Sequence, residues 1–426
     1  MANNAQNGRP KRAIVLSGGG ARGAYEAGVL QFILDDLPRR KGVEPRFEIV
    51  CGTSVGAIHA AFVAATADQE HGRGPRLVKI WEDLHVDEIF RFSPRDLISI
   101  PRKLFGVRKV AQQLREGRRP DRLFGLLDTG PLEQLVLDAI PWPGIRRNLD
   151  SGHVEAVCIA ATQLATGRAV VFVEQKDRAL PPWANQDNIR MQGIRLAPVH
   201  ALASAAIPLL FPAVRVGSRY YADGGMRLNT PLAPAVRLGA SRVLVIGLSH
   251  GVPPTVSEAL AQQRTAGFGN PMFLFGKVLN ALMLSPVDAD LARMHFINDI
   301  ISNGEIAFGD DFLETLNAVG VERGGRPIQR IEDMVIRPSR DLGVMAGELI
   351  ADKASQLELG AFLKMFIRGS GVGGEFKEAD LLSYLLFDAA FTIPLAELGY
   401  ADAMAKEEDL ARFFDDDADL GARSQP

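Results

Sequence analysis

The chain has 426 residues, of which 47% are hydrophobic and 23% are charged, and its formal net charge at pH 7 is −3. This length allows a large core, in more than one domain or in one domain with an extension, and the composition is typical of a soluble globular protein. The small negative charge excludes the globally basic surface with which proteins neutralise nucleic-acid phosphates. Cys51 and Cys158 lie in apolar runs, which predicts buried free thiols rather than a disulfide framework or a zinc site.

The first residues, 1–9, are polar and predict a disordered leader. They lack the apolar core of a signal peptide. The most apolar window, Met272–Leu284, is too short to span a bilayer, which takes about 20 apolar residues. We therefore expect a cytoplasmic or peripheral membrane protein with no cleavable signal peptide and no transmembrane segment, although export by another route stays open.

Two strand–glycine turn–helix units begin the chain. Ala13–Leu16 predicts a short buried strand, followed by the glycine-rich run Gly18–Gly23 and a helical pattern over Ala24–Leu34. Arg46–Cys51 predicts a second strand, which leads through Gly52–Gly56 (GTSVG) into an apolar helix. Two such units in succession predict a parallel sheet with right-handed crossovers.

Arg and Lys alternate with apolar residues over 91–123. This segment is either a solvated helical excursion or a basic amphipathic surface that contacts anionic lipid. Farther on, two hairpins and one more buried strand are expected. Their strands are Val154–Thr162, Ala169–Glu174, Val214–Val216, Arg219–Tyr221 and Arg242–Leu248. After Pro253-Pro254 the pattern becomes mostly helical, with a late strand at Asp333–Ile336.

Gly18, Gly20 and Gly23 satisfy G-x-G-x-x-G, the dinucleotide-binding pattern. That function needs an acidic residue at the end of the second strand to bind a ribose hydroxyl. Here the second strand ends in Cys51-Gly52, and Glu48 lies inside it. The pattern therefore lacks its usual partner, and a nucleotide-binding protein or oxidoreductase remains only as a rival hypothesis.

The second turn, Gly52–Gly56, has the form G-x-S-x-G. Between a buried strand and a buried helix, this pattern predicts a sharp turn that exposes a nucleophilic serine, here Ser54. If both glycine turns lie at the carboxyl ends of neighbouring strands, they face one crevice. The backbone N–H groups of Gly18–Gly20 could then hold the oxyanion of an acyl-transfer reaction.

A nucleophilic serine needs a base. His59 lies on the same helix as Ser54 and is not expected to reach back to it, whereas His250 ends a buried strand. Asp223 follows a short strand and precedes two glycines, although Asp-Gly pairs are also common in ordinary turns. The residues alone leave Asp223 and His250 open.

Three stretches together resemble the patatin-like phospholipase family: Gly18–Gly23 (GGGARG), Gly52–Gly56 (GTSVG) and Asp223–Gly225 (DGG). The run Ala203–Pro208 is similar to a fourth block of that family, and the resemblance covers residues 10–250. It implies a three-layer patatin-like α/β fold with a central, mostly parallel sheet flanked by helices. We therefore predict a catalytic domain over 10–250 and a mostly helical C-terminal region, 251–426, packed on it.

The resemblance also implies a Ser–Asp dyad without a histidine, in which Ser54 is the nucleophile and Asp223 the base. The site residues carried over are the oxyanion-hole residues Gly18, Gly19, Gly20 and Arg22, the elbow glycines Gly52 and Gly56, and the base-loop glycines Gly224 and Gly225. Arg22 has two interpretations: it either holds the loop or attracts a phosphate or oxyanion.

The implied function is a serine lipid acyl hydrolase (phospholipase A, lysophospholipase or esterase) that works through an acyl-enzyme. The alternatives are a His250-dependent α/β-hydrolase-type esterase, a lipid transacylase and a non-enzymatic lipid-binding protein. The expected partners are a phospholipid or other acyl-ester lipid and a membrane surface, but no nucleic acid, and a homodimer is left open. No calcium-loop pattern is present, and we expect no metal and no cofactor. The apolar segments Met272–Leu284 and Leu381–Phe391 either line an acyl groove or touch the bilayer, or form core helices or a dimer face.

Overall fold

The computed structural model describes residues 10–90, 120–123, 125–177, 179–185, 188–251, 287–322, 325–353 and 379–416, and the single positions 274, 281, 364 and 367. Several sequence predictions lie wholly or mostly outside the described residues. They concern the leader 1–9, most of the basic segment 91–123, Pro253-Pro254 and nearly all of Met272–Leu284. These predictions stay predictions.

The described strands form one nine-stranded sheet with a parallel centre. Strand β1 (Arg12–Leu16) pairs in parallel with β2 (Ile49–Thr53) on one side and with β8 (Arg242–Ile246) on the other. The sheet continues in parallel from β2 to β3 (Ala156–Gln163) and from β8 to β9 (Glu332–Ile336). The predicted parallel sheet is thus confirmed, and the late strand joins it beside β8.

Antiparallel strands extend the sheet beyond β3. The predicted hairpin forms between β3 and β4 (Arg168–Gln175), and β4 pairs in parallel with β5 (Ile189–Gly193), a strand that the sequence pattern did not predict. The second predicted hairpin consists of β6 (Val214–Val216) and β7 (Arg219–Asp223). Because β7 also pairs antiparallel with the end of β3, its last residue, Asp223, reaches the carboxyl edge of the parallel strands.

Helices cover both faces of this sheet. The helices of the described ranges are α1 Gly23–Gln31, α2 Leu37–Lys41, α3 Val55–Ala65, α4 Arg73–Glu82, α5 Gly130–Ala139, α6 Pro143–Ser151, α7 Pro198–Ser204, α8 Gly225–Leu228, α9 Leu232–Arg237, α10 Val287–Phe308, α11 Phe312–Glu322, α12 Leu342–Lys353, α13 Asp380–Leu385, α14 Ala389–Met404 and α15 Glu407–Phe414. Alternate residues of β1 enter two separate apolar cores, Ile14 and Leu16 on one face and Ala13 and Val15 on the other. This arrangement confirms the predicted three-layer α/β fold. Among the described helices, none combines the length and apolarity needed to cross a bilayer.

The C-terminal region packs tightly on the first helix. A Cβ on Gly28 of α1 would lie 1.8 Å from the carbonyl oxygen of Ala396, and a Cβ on Gly399 of α14 would lie 2.0 Å from that of Tyr25. The two helices therefore approach at a distance that only glycine permits at these positions. The division at residue 250 stays a prediction, but β9 and α14 tie the C-terminal region to the sheet and to α1.

Candidate active site

Ser54 stands between β2 and α3 in a strained backbone conformation, with φ 55° and ψ −124°. The flanking glycines allow this sharp turn. A Cβ on Gly52 would lie 2.0 Å from the Gly56 carbonyl oxygen, and a Cβ on Gly56 would lie 2.4 Å from that of Leu16. The turn places Ser54 at the N-terminus of α3, where the helix dipole favours negative charge.

The side chain of Ser54 contacts Asp223. Ser54 Oγ donates a hydrogen bond to Asp223 Oδ2 over 2.6 Å, and Asp223 is completely buried. The other carboxylate oxygen accepts the Gly225 N–H over 2.7 Å. Thr162 Oγ1 donates to the Asp223 carbonyl oxygen over 2.8 Å, which fixes the end of β7. The structure thus brings together the two residues predicted as nucleophile and base.

Gly224 allows β7 to end beside β3 and the elbow. A Cβ at this position would lie 2.3 Å from the Ala160 carbonyl oxygen and 2.8 Å from Thr53 Cγ2. Of the two predicted base-loop glycines, Gly224 therefore provides space, whereas Gly225 provides a backbone N–H for the Asp223 carboxylate. Both act on the position of Asp223.

Burial raises the pKa of the Asp223 carboxyl to about 7, although hydrogen bonds from Ser54 and the Gly225 N–H favour the ionised form and lower it. An exposed aspartate is a weak base at neutral pH, whereas a carboxylate with a pKa near 7 accepts a proton far more readily. The fold therefore gives Asp223 the basicity that the sequence alone left unknown.

The two histidines considered as bases make other contacts. His250 Nδ1 lies 2.9 Å from the carbonyl oxygen of Pro338. His59 Nδ1 lies 2.9 Å from Glu26 Oε2, and His59 Nε2 accepts the indole N–H of Trp81 over 3.0 Å. The geometry thus favours Asp223 over His250 as the partner of the serine.

The glycine-rich loop runs directly beside Ser54. A Cβ on Gly18 would lie 3.0 Å from Ser54 Cβ and 2.5 Å from Asn229 Oδ1. Asn229 also holds this glycine from both sides, because its carbonyl oxygen accepts the Gly18 N–H over 3.2 Å and its Nδ2 donates to the Gly18 carbonyl oxygen over 3.3 Å. The loop is therefore clamped at its first glycine.

Two of the four residues predicted for the oxyanion hole use their backbone N–H groups in hydrogen bonds within the protein. The Gly18 N–H donates to the Asn229 carbonyl oxygen, and the Arg22 N–H donates to the Gly19 carbonyl oxygen, each over 3.2 Å. For the N–H groups of Gly19 and Gly20, no acceptor is found among the described residues. Gly20 has φ +57°, and a Cβ there would lie 2.3 Å from the Tyr384 carbonyl oxygen.

The Arg22 side chain is directed towards α13 of the C-terminal region. Its Nε donates to Ser383 Oγ over 2.8 Å, and a terminal nitrogen lies 3.3 Å from Asp380 Oδ1. The guanidinium carbon lies 4.5 Å from the centre of the Tyr384 ring. Of the two interpretations of Arg22, these contacts favour the one in which it holds the loop.

One residue at the site was not singled out from the sequence. Ser204 Oγ accepts the Ser54 N–H over 2.8 Å and donates to the Ala160 carbonyl oxygen over 2.5 Å. Its hydroxyl thus bridges the elbow and β3. The signal was the run Ala203–Pro208, which resembled a family block but suggested no role for its serine.

An apolar cavity opens beside Ser54 and Gly20. Its walls come mainly from α3, α4 and α5, and Phe387 of the C-terminal region completes them. The Phe387 ring stacks on Trp81, with ring centres 6.2 Å apart and planes inclined by 14°. Within Leu381–Phe391, Phe387 therefore lines the cavity, whereas Leu381 and its neighbours are buried in the core.

Cys51 and Cys158 are buried free thiols, as predicted. Across the described part of the chain, no three His, Cys, Asp or Glu side chains converge in an arrangement that could hold a metal ion.

Comparisons with known proteins identify a family and several similar chains. The model of the family described as patatin-like phospholipase matches residues 14–236. A curated cGAMP-activated phospholipase from Pseudomonas aeruginosa is 28% identical over 218 residues, which cover 51% of this chain and 53% of that protein. The chain thus matches about half the length of this relative.

Two solved structures are also similar. VipD from Legionella pneumophila is 14% identical, with a TM-score of 0.35, over 91% of this chain and 67% of that one. The type III effector protein ExoU is 14% identical, with a TM-score of 0.25, over 84% of this chain and 68% of that one. Because the family model matches more than half of the chain, this protein belongs to the patatin-like phospholipase family.

Proposed function

We propose that this protein is a serine lipid acyl hydrolase that cleaves carboxylic esters of lipids through Ser54 and Asp223. The observation that carries the proposal is the 2.6 Å hydrogen bond from Ser54 Oγ to the buried Asp223 carboxylate. Membership in a family of phospholipases agrees with a lipid substrate.

The mechanism has two steps. Asp223 accepts the Ser54 proton as Ser54 Oγ attacks the acyl carbonyl carbon, and the Gly19 and Gly20 N–H groups stabilise the resulting oxyanion. The proton then passes from Asp223 to the departing alcohol oxygen, which leaves an acyl-Ser54 ester. Asp223 next takes a proton from water, which attacks this ester, and returns the proton to Ser54 Oγ as the fatty acid leaves.

The apolar lining of the cavity indicates that the acyl chain is the part of the substrate that enters the protein. It begins at Ser54, and apolar side chains such as Ile58, Phe62 and Leu77 line it. Each methylene group that leaves water for such a site contributes about 0.8 kcal/mol. We therefore propose that the acyl chain enters the cavity while the head group stays at the mouth, with the protein bound peripherally to the membrane that supplies the lipid.

The test compares wild type with Ser54→Ala, Asp223→Asn and His250→Ala on a p-nitrophenyl acyl ester and on phospholipid vesicles, with and without EDTA. Circular dichroism checks that each variant folds. We expect the first two substitutions to lower kcat by about 1,000-fold or more and His250→Ala, the control, to stay active. An inactive His250→Ala beside an active Asp223→Asn would refute the dyad in favour of the histidine alternative.

Two other outcomes would replace the proposal. Binding to vesicles without hydrolysis of any ester would indicate a lipid-binding protein, and bound NAD or FAD absorbance after purification would indicate a nucleotide-dependent one. Transfer of the acyl group to an added alcohol in preference to water would identify a transacylase that uses the same dyad.

A further inference from the structure

A buried carboxylate on α1 forms a chain of hydrogen bonds that links the start of the glycine-rich loop to the wall of the apolar cavity. Glu26 is completely buried. Its Oε1 accepts the Ser17 N–H over 2.8 Å, and its Oε2 lies 2.9 Å from His59 Nδ1. His59 Nε2 in turn accepts the Trp81 indole N–H over 3.0 Å. The proposed mechanism uses none of these groups.

The donors and acceptors in this chain determine where the protons lie. An indole N–H can only donate, so His59 Nε2 has no proton and accepts from Trp81. The proton of a neutral imidazole is then on Nδ1, which donates to Glu26 Oε2. Because the Ser17 N–H donates to the other oxygen, both oxygens of Glu26 are acceptors. This hydrogen-bond pattern is that of an ionised Glu26 beside a neutral His59, although burial raises the pKa of the Glu26 carboxyl.

The two ends of this hydrogen-bond chain, Ser17 and Trp81, lie at the candidate site. Ser17 directly precedes Gly18, the first residue of the glycine-rich loop. At the other end, Trp81 and His59 line the apolar cavity, and Trp81 stacks on Phe387. A single carboxylate thus connects the start of the loop to the wall of the cavity.

We propose that Glu26 and His59 are positioning residues. Through a hydrogen-bond chain in which His59 is neutral and protonated on Nδ1, they fix the position of the glycine-rich loop relative to the Trp81 wall of the cavity. This inference rests on the proposed function for its effect on catalysis, but the protonation pattern does not depend on it.

Glu26→Gln tests the chain, because an amide cannot satisfy both ends. If the amide oxygen accepts from Ser17, the amide nitrogen donates to His59 Nδ1, and the His59 proton moves to Nε2, where it opposes the Trp81 N–H. If the amide is reversed, its nitrogen opposes the Ser17 N–H. Trp81→Phe removes the indole donor, so the first arrangement then has no conflict.

We therefore expect Glu26→Gln to lower kcat/KM for a p-nitrophenyl ester about tenfold in wild type and less than about twofold in the Trp81→Phe background. Equal losses in the two backgrounds would overturn the proposal, because a general structural defect does not depend on the indole N–H. Melting temperatures establish that each variant is folded.

Glu174→Gln is the matched control. Glu174 lies in β4, is 1% exposed and accepts a backbone N–H, that of Leu196, over 2.6 Å. The substitution is thus chemically the same in an equally buried place that lines neither the cavity nor the loop. We expect its kcat/KM to stay within about twofold of wild type. A loss as large as that of Glu26→Gln would count against a specific role of Glu26.

The ¹⁵N chemical shifts of the His59 ring in wild type provide a measurement independent of activity, with the signals assigned by His59→Gln. We expect a neutral ring protonated on Nδ1. An imidazolium, or a ring protonated on Nε2, would overturn the proposal. If wild type hydrolyses no ester while the Nδ1 tautomer is present, the proposed function fails and the hydrogen-bond chain stands.

Discussion

The Ser54 hydroxyl lies 2.6 Å from Asp223 Oδ2, although 169 positions separate the two residues in the chain. The glycine elbow presents one partner and the end of β7 presents the other. Because burial raises the pKa of this carboxyl to about 7, the contact has a consequence for the pH dependence of the proposed reaction.

We expect kcat/KM to increase with pH and to level off above about pH 7. Only the ionised Asp223 can accept the serine proton, so below its pKa activity falls about tenfold per pH unit. The rate at which a fluorophosphonate labels Ser54 measures this pH dependence. Unlike a p-nitrophenyl ester assay, it does not depend on the protonation of a coloured product. Melting temperatures over the same range exclude acid unfolding as the cause. A rate that is constant or falls between about pH 6 and pH 8 would contradict Asp223 as the base.

Gly20→Ala should abolish most of the activity. A Cβ there would lie 2.3 Å from the Tyr384 carbonyl oxygen, so the loop must shift, and we expect kcat to fall about 100-fold, as on loss of an oxyanion donor. Gly42→Ala is the control, since Gly42 has a similar φ of +67° but nothing within 4 Å of the added Cβ. It should lower the free energy of unfolding by about 1 kcal/mol and leave kcat unchanged. Similar activity in the two variants would refute the role of close packing at Gly20.

Ser204→Ala should lower kcat about tenfold with little change in KM, because the buried Ser54 N–H loses its acceptor and the elbow loses a support. Steady-state kinetics with a short-chain ester measures this. Thr66→Val is the control, since Thr66 is equally buried and, among the described residues, its hydroxyl donates to the Phe62 carbonyl oxygen, away from the site. If both substitutions reduce kcat to the same degree, Ser204 has no special part in the site.

Phe387→Ala should move the preferred acyl chain to longer lengths, because it removes a wall of the cavity next to Trp81. The measurement is kcat/KM over a series of p-nitrophenyl esters of increasing chain length. Phe391→Ala is the control: Phe391 is buried in the same region but does not line the cavity. Each substitution should destabilise the fold by about 3–5 kcal/mol, yet only the first should change the chain-length profile. An unchanged profile in Phe387→Ala would exclude the cavity as the acyl site.

The strands that the sequence predicted well are those with strong local patterns. Continuous apolar runs identified β1, β2 and β8, since strands buried on both faces leave no room for polar side chains. In contrast, β5 (Ile189–Gly193) was missed because it is only partly buried, and so its sequence, IRMQG, shows no apolar run. The helical pattern over Ala24–Leu34 was real, but the structure divides it at a π-helical turn, Phe32–Asp36.

The sequence by itself determined the strand–turn–helix units, the serine elbow and the place of Asp223 in an Asp-Gly-Gly turn. Those features follow from local patterns: apolar runs predict the strands and helices, and glycine-rich turns separate them. Only the tertiary structure shows the contact of Asp223 rather than His250 with Ser54, which the residues alone left open and the family resemblance implied. It also shows the hydrogen bond from the Gly18 N–H to the Asn229 carbonyl oxygen. It also decided that α13 packs on the glycine loop, through contacts such as the one from Arg22 to Ser383, 361 positions away. Contacts over such separations depend on how whole elements pack, and no local pattern encodes that.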